Sequence, residues 1–546
     1  MAFEVKDRDL LARIGRLHTK SGTVETPLLF PVINPNIQLI SPREIRENFG
    51  FEALITNAYI LKKNFQNQPV EKGVHGFLGF DGVVMTDSGA YQILVYGGVE
   101  VTPEEIVEYQ ERINTDIATI LDWPTGWNVS RKHAEQTVNE TLNRARTLFK
   151  VKTREDVLWV GPVQGGRHLD LVAKSAFEMG RLPFQIYALG SPTEVMERYR
   201  FDILVDMIMA AKMSLPVDKP FHLFGAGHPL MFSLVVALGC DLFDSAAYAI
   251  YARDNRYLTG TGTARLEELE YFPCSCPKCL SKKPKEVAEM PNEERQRFLA
   301  EHNLYACLSE IKRVKQAIRE GRLWEHLEAA AHGHPALLQA LKRLRKYERF
   351  IERHSPTVKR SGLFFFSSLG LARPEVVRYR IRLAERYSKP GNAEILLLMP
   401  QTRTKPFHKS REFRETVKIL REALGERLDI VHFCFYEAPF GVVPIELDEV
   451  YPLSQNESAL PPDKETVGYV ASHVADYIAK WDYRAVLLLY DRENWGDELP
   501  KVSRRICSAR GVKFKYLDFK GNWINAMSKF LKNALREKRS TSLDSS

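Results

Sequence analysis

Residues 221–248 read FHLFGAGHPLMFSLVVALGCDLFDSAAY. An apolar run from Phe221 to Gly225 stops at glycine, a helical segment follows, and a second run, Leu242-Phe243-Asp244, stops at a carboxylate. The same unit recurs upstream, at Leu28-Leu29-Phe30, Ala53 to Asn57, Val83 to Asp87, Ile117 to Asp122, Val157 to Gln164 and Phe184 to Gly190, each run followed by a helical segment. One of these segments opens on Thr102-Pro103-Glu104-Glu105, an N-cap residue with proline at the first helical position. Short buried strands alternating with helices imply a parallel sheet. Eight repeats over about 250 residues is the size at which such a sheet closes into a (β/α)8 barrel, with an open doubly wound sheet as the competing arrangement. In a barrel the reactive residues gather at the C-terminal strand ends, where this sequence places Asp87, Asp122, Gln164, Gly190 and Asp244.

The chain has 546 residues, 44% hydrophobic and 27% charged, which suits a soluble globular protein of two or more domains. Its formal charge of +8 favours an anionic partner. Seven cysteines are few for this length, and only three cluster, so a disulfide framework is not expected and a reducing cytosol is. Neither a signal peptide nor an apolar run of membrane-spanning length is visible, so the expected location is cytoplasmic, away from membranes.

After the last barrel run come Cys274, Cys276 and Cys279, in YFPCSCPKCL, and then His302. Three thiolates and one imidazole complete the tetrahedral shell of a structural Zn²⁺ and leave no position for catalysis. One structural zinc ion is therefore expected over 274–302, with Cys240 and Cys307 as nearby alternative ligands. The predicted architecture is α/β: a (β/α)8 TIM barrel with a zinc-binding insertion over residues 1–355, a connecting segment over 356–390, and a smaller α/β domain over 391–540. The runs Ala393 to Met399, Leu428 to Tyr436, Tyr483 to Tyr490 and Val512 to Leu517 supply about four strands of the second domain. Eight basic and two acidic residues between Lys342 and Arg360 read as a solvated helix face, or as phosphate contacts if the partner is a nucleic acid.

Asp87 and Asp244 taken singly could be N-cap or turn residues. As a pair at one barrel mouth they can divide acid/base and nucleophilic work at a glycosidic carbon. Gln164-Gly165-Gly166 and Gly190-Ser191 put an amide and glycines at neighbouring strand ends, where backbone can approach a planar ligand. His222 and His228 read more naturally as core histidines than as catalytic groups.

TDSGAYQ around Asp87, LDWP around Asp122, VQGG at Gln164, HLFGAGHP, DLFDSAAYA around Asp244, and CSCPKC with His302 together resemble the tRNA-guanine transglycosylases, in particular the archaeal, archaeosine-type branch, from about residue 5 to 350. That resemblance implies a zinc-bearing barrel that exchanges a guanine of tRNA, at position 15 of the D-arm, for 7-cyano-7-deazaguanine. It implies Asp244 as the nucleophile at the ribose anomeric carbon and Asp87 as the acid/base. Asp122, Gln164, Gly190 and Ser191 would bind the base, with Tyr91 stacked on it. A homodimer is also implied.

Two departures stand out. The family's Gly-Gly pair is Gly190-Ser191 here, and no RNA-binding PUA module is recognisable, so a separate PUA-type protein is a possible partner. The C-terminal domain resembles that of archaeosine synthase, but the paralogue's Pro-Cys-Ser and Lys-Pro-Tyr signature reads Pro400-Gln401-Thr402 and Lys405-Pro406-Phe407, with Ser410 and then Phe413. The competing functions are a noncatalytic zinc-braced tRNA-binding subunit, which would need neither aspartate, and a synthase-type paralogue.

Overall fold

The computed structural model describes residues 2–90, 101–519 and 523–536. The chain divides into two compact units, 1–356 and 357–546.

In the first unit the opening residues form an antiparallel meander, β1 (Phe3–Asp9), β2 (Ala12–Thr19) and β3 (Gly22–Thr26). Eight strands follow: β4 (Leu28–Ile33), β5 (Ala53–Asn57), β6 (Val83–Asp87), β7 (Ile117–Thr119), β8 (Leu158–Val163), β9 (Ile186–Leu189), β10 (Phe221–Leu223) and β11 (Leu242–Ser245). They pair in parallel around a closed barrel, sealed where β11 meets β4 with Leu242 opposite Leu28 and Asp244 opposite Phe30. Each strand read from the sequence is present, and the barrel, not the open sheet, is the arrangement adopted.

Alternate residues point inward, among them Ala53 and Ile55, Val83 and Met85, Leu158 and Val160, and Ile186 and Ala188, as the two-residue period of a strand requires. Phe3, Leu17 and Val24 of the meander join this cluster beside the first residues of the strands, so the meander plugs the barrel's N-terminal end and leaves the other end for a site. A buried ion pair ties the plug to the barrel: Arg13 Nε and Nη2 donate to Asp241 Oδ1 and Oδ2 at 3.0 and 2.5 Å, just before β11.

Beyond β11 a short helix, Ala247–Arg253, leads into the hairpin β12 (Arg256–Thr259) and β13 (Gly262–Arg265), the cysteine segment, and a long helix, Asn292–Glu320. Asn303 on the buried side of that helix donates to the carbonyls of Tyr248 and Arg256 at 3.2 Å and accepts from Leu258 N at 2.9 Å. Three backbone groups of the insertion and of the helix after β11 are thereby fixed to one side chain. Within the basic run Arg343 forks onto Asp206 at 2.9 and 2.6 Å while its side chain stays on the surface.

In the second unit, strands β15 (Ile395–Pro400), β16 (Val431–Glu437), β19 (Ala485–Tyr490) and β20 (Lys513–Asp518) form a parallel sheet in the order 16-15-19-20, extended by antiparallel β17 (Gly441–Pro444). Ile395, Leu397 and Met399 feed one apolar layer and Leu396 and Leu398 the other, which is why β15 is apolar without alternation. Residues 356–390, whose proline and glycine punctuation suggests a connector, hold structure of their own: β14 (Leu363–Phe365), paired with β18 (Asn456–Ser458), and the helix Pro374–Glu385. Leu363 and Val376 lie in the core of this unit, and that burial outweighs the local turn signals.

Candidate active site

Asp87 closes β6 and Asp244 is the penultimate residue of β11, while Asp122, Gln164 and Gly190 follow the ends of β7, β8 and β9. All five therefore sit at the C-terminal end of the barrel. Tyr91 lies outside the described residues.

Asn57, opposite Asp87 in the β5–β6 register, donates Nδ2–H to Asp87 Oδ2 at 2.8 Å. Burial pushes the Asp87 carboxyl up to about 7, and the charges of Asp122 and Asp244 add to the rise, against the opposing N–H groups of Gly89 and Ser88. A carboxyl in that range can give and take a proton near neutral pH. Asp244 is differently placed. Its Oδ1 lies 2.8 Å from His222 Nε2 and accepts from Gly225 N at 3.1 Å, and its side chain keeps 14% of its surface exposed. The loop after β10 can reach this aspartate because Gly227 lacks a side chain: a Cβ there would fall 1.8 Å from Ser245 Cβ.

Asp122 is buried, and burial raises its carboxyl to about 6 despite the hydrogen bond from Gln164. Gln164 is held at both ends, with Nε2 donating to Asp122 Oδ2 at 2.5 Å and Oε1 accepting from Thr125 N at 2.9 Å and Ser191 Oγ at 3.1 Å. Gly190 packs against that amide so closely that a Cβ would meet Gln164 Nε2 at 2.1 Å. Ser191 adopts φ 58°, a left-handed conformation normally reserved for glycine. Asp122, Gln164, Gly190 and Ser191 thus form one polar wall beside the two outer carboxylates.

The sequence reading underrates Asn57 and His222. His222 is fully buried, as a core histidine would be, but its ring is bonded to Asp244. The available signal was a polar residue in the middle of a short apolar strand, one βα unit before an aspartate on the neighbouring strand. His228 instead caps the helix Pro229–Ala237, accepting from Leu230 N through Nδ1 at 3.1 Å.

The ligand atoms of Cys274, Cys276, Cys279 and His302 all lie within 4.8 Å of one another. His302 Nε2 is 2.9 Å from the carbonyl of Leu258, which fixes the ring so that Nδ1 faces the sulfurs. Tyr257 stacks on the imidazole with ring centres 3.6 Å apart, and its hydroxyl lies 3.2 Å from Cys279 Sγ. Three thiols and one oriented imidazole fit a metal ion. Cys240 and Cys307 are buried elsewhere and take no part in the cluster.

A family model described as queuine tRNA-ribosyltransferase matches residues 7–336, and one described as a domain of unknown function matches residues 376–528. The tRNA-guanine(15) transglycosylase of Pyrobaculum aerophilum is 44% identical over 94% of this chain and 99% of its own length. That of Aeropyrum pernix is 45% identical over 87% and 92%, and that of Methanocaldococcus jannaschii 46% identical over 84% and 68%. Among the described residues no helix is long and apolar enough to cross a membrane. With the barrel, its carboxylate-lined mouth and the matched span taken together, the chain belongs to the queuine tRNA-ribosyltransferase family, the tRNA-guanine transglycosylases.

Proposed function

We propose that this enzyme is a tRNA-guanine(15) transglycosylase, replacing the D-arm guanine of tRNA with 7-cyano-7-deazaguanine in archaeosine biosynthesis. The observation that carries the reading is the pairing, at one barrel mouth, of Asp87 held near neutrality with Asp244 presented on two hydrogen bonds. Two carboxylates in such different surroundings suit an acid/base and a nucleophile respectively.

In the first half of the reaction the Asp244 carboxylate attacks C1′ of the ribose. The C1′–N9 bond breaks, its electron pair leaves with guanine, and the Asp87 carboxyl supplies the proton. In the second half the incoming base gives its N9 proton to Asp87 and attacks C1′, and Asp244 departs as carboxylate. The ester conserves the energy of the glycosidic bond, so no ATP is required. Asp122 accepts from the N–H edge of the base, Gln164 donates to its exocyclic oxygen, and Gly190 and Ser191 contribute backbone groups. Gln164 Nε2 carries two hydrogens, so the one not given to Asp122 serves the base. Tyr91 stacks on the base.

A single Zn²⁺ held by Cys274, Cys276, Cys279 and His302 braces the chain after β11, and hence the helix that follows Asp244. The enzyme works in the cytoplasm as a homodimer and draws on a separate PUA-type protein for further tRNA contacts. Synthase chemistry at the Pro400 motif is disfavoured, because Gln401 and Phe413 stand where the paralogue's signature has its cysteine and histidine. The test is incubation with unmodified tRNA and 7-cyano-7-deazaguanine followed by nucleoside mass spectrometry. Guanosine at position 15 should be replaced. Unchanged guanosine with every deazaguanine offered overturns the proposal.

A further inference from the structure

His222 sits on β10 with no exposed surface, its ring 4.6 Å from that of Phe224 and 6.1 Å from that of Phe30. A polar ring in such a place costs desolvation that a phenylalanine or leucine would avoid. Its Nδ1 is buried with no hydrogen-bond partner among the described residues, so that cost is not recovered on the far side of the ring. The polar bond the imidazole does make runs from Nε2 to Asp244 Oδ1 at 2.8 Å. A carboxylate can only accept, so Nε2–H is the donor in this bond.

The two oxygens of Asp244 are unequal. Oδ1 is bound by His222 Nε2 and Gly225 N, whereas Oδ2 receives no hydrogen bond from any described residue. We infer that His222 is a positioning residue for the exchange reaction, holding Oδ1 so that Oδ2 is the oxygen that bonds to C1′. The inference rests on the reading of Asp244 as nucleophile. When Oδ2–C1′ forms, the C1′–N9 pair leaves with the base, and Oδ1 becomes the carbonyl oxygen of the ester. When the second base attacks C1′, the Oδ2–C1′ pair returns to the carboxylate, and its charge spreads again onto Oδ1 against the two donors. A hydrogen bond to a charged acceptor is stronger than one to an ester carbonyl, so the same contact eases the departure of Asp244.

The test compares His222→Phe, which keeps the packing and deletes the donor, with His222→Gln, whose amide Nε2–H can reproduce it. Guanine exchange into tRNA is measured for the full chain. Loss of one hydrogen bond to a charged group predicts a kcat about 10- to 100-fold lower for His222→Phe, with KM for tRNA unchanged within about twofold. His222→Gln should recover most of the loss even though its buried amide leaves it no more stable than the Phe variant. Wild-type kcat in His222→Phe, or a Gln variant as slow as the Phe variant, overturns the inference. His222→Met serves with the same readout if the Phe variant does not fold. Asp244→Asn separates the two ideas. If it still exchanges guanine the nucleophile reading fails, whereas an inactive Asp244→Asn beside a fully active His222→Phe removes His222 alone.

Discussion

Replacing Asp87 with Asn should stabilise the barrel unit, and by more at high pH than at low. The Asp87 carboxyl is lifted to about 7 by burial and by the charges of Asp122 and Asp244, whereas in the unfolded chain it returns to about 3.9. Between those values the folded protein holds a proton that the unfolded chain has lost, so stability falls as pH rises through the window and the penalty is complete above it. At 1.36 kcal/mol per pH unit the full penalty is up to about 4 kcal/mol, an upper bound because the carboxyl is partly open at the mouth. About a third of it is already present at pH 5. Asparagine carries no such penalty and can still accept the Ser88 and Gly89 N–H groups. The advantage of the variant should therefore grow by about 3 kcal/mol between pH 5 and pH 8, worth about 4 °C for a unit of this size. Scanning calorimetry of both proteins at the two pH values reads this directly, and Asp122, present in both, largely cancels. A melting difference that is the same at pH 5 and pH 8 would refute the reasoning. Exchange activity should fall by about 10²- to 10⁴-fold in the same variant.

Gly190→Ala would drive a methyl group into Gln164 Nε2, 2.1 Å from the ideal Cβ, and force the amide off Asp122; steady-state kinetics should show KM for the incoming base raised about 10- to 100-fold, and an unchanged KM would argue against this wall as the base site. Arg13→Met strands the buried Asp241 carboxylate and should cost about 3–5 kcal/mol in denaturant unfolding; adding Asp241→Asn should restore much of that, and a double variant as weak as the single would place the loss in packing. His302→Ala should lower bound zinc, by elemental analysis, from about one ion per chain, and should lower the melting temperature of the barrel unit, with exchange by the residual folded enzyme reduced far less than by Asp244→Asn. Retention of a full complement of zinc would remove His302 from the ligand set.

The barrel was legible because each of its strands is buried on both faces and so reads as an apolar run ending abruptly in a polar residue or glycine. Val83 to Asp87 and Leu242 to Asp244 carry their function at that very break. The metal cluster was legible because two of its gaps are local. What was hidden depends on partners distant in sequence. The meander β1–β3 shows its purpose only once Phe3, Leu17 and Val24 meet the barrel floor. The segment 356–390 carries turn residues that predict a connector, but Leu363 and Val376 are claimed by a core assembled from residues up to Ala534. His222 is the sharpest case, since a histidine in a three-residue strand is equally compatible with packing and with catalysis until the neighbouring strand brings Asp244 to its Nε2.

In the proposed reaction Asp244 becomes covalently joined to the ribose of tRNA. Enzyme mixed with unmodified tRNA, quenched in denaturant and digested with protease and nuclease, can be mapped by tandem mass spectrometry. A ribose-linked peptide containing Asp244 is expected, absent from Asp244→Asn. A ribose mass on the Asp87 peptide, or full base exchange by Asp244→Asn, would contradict it.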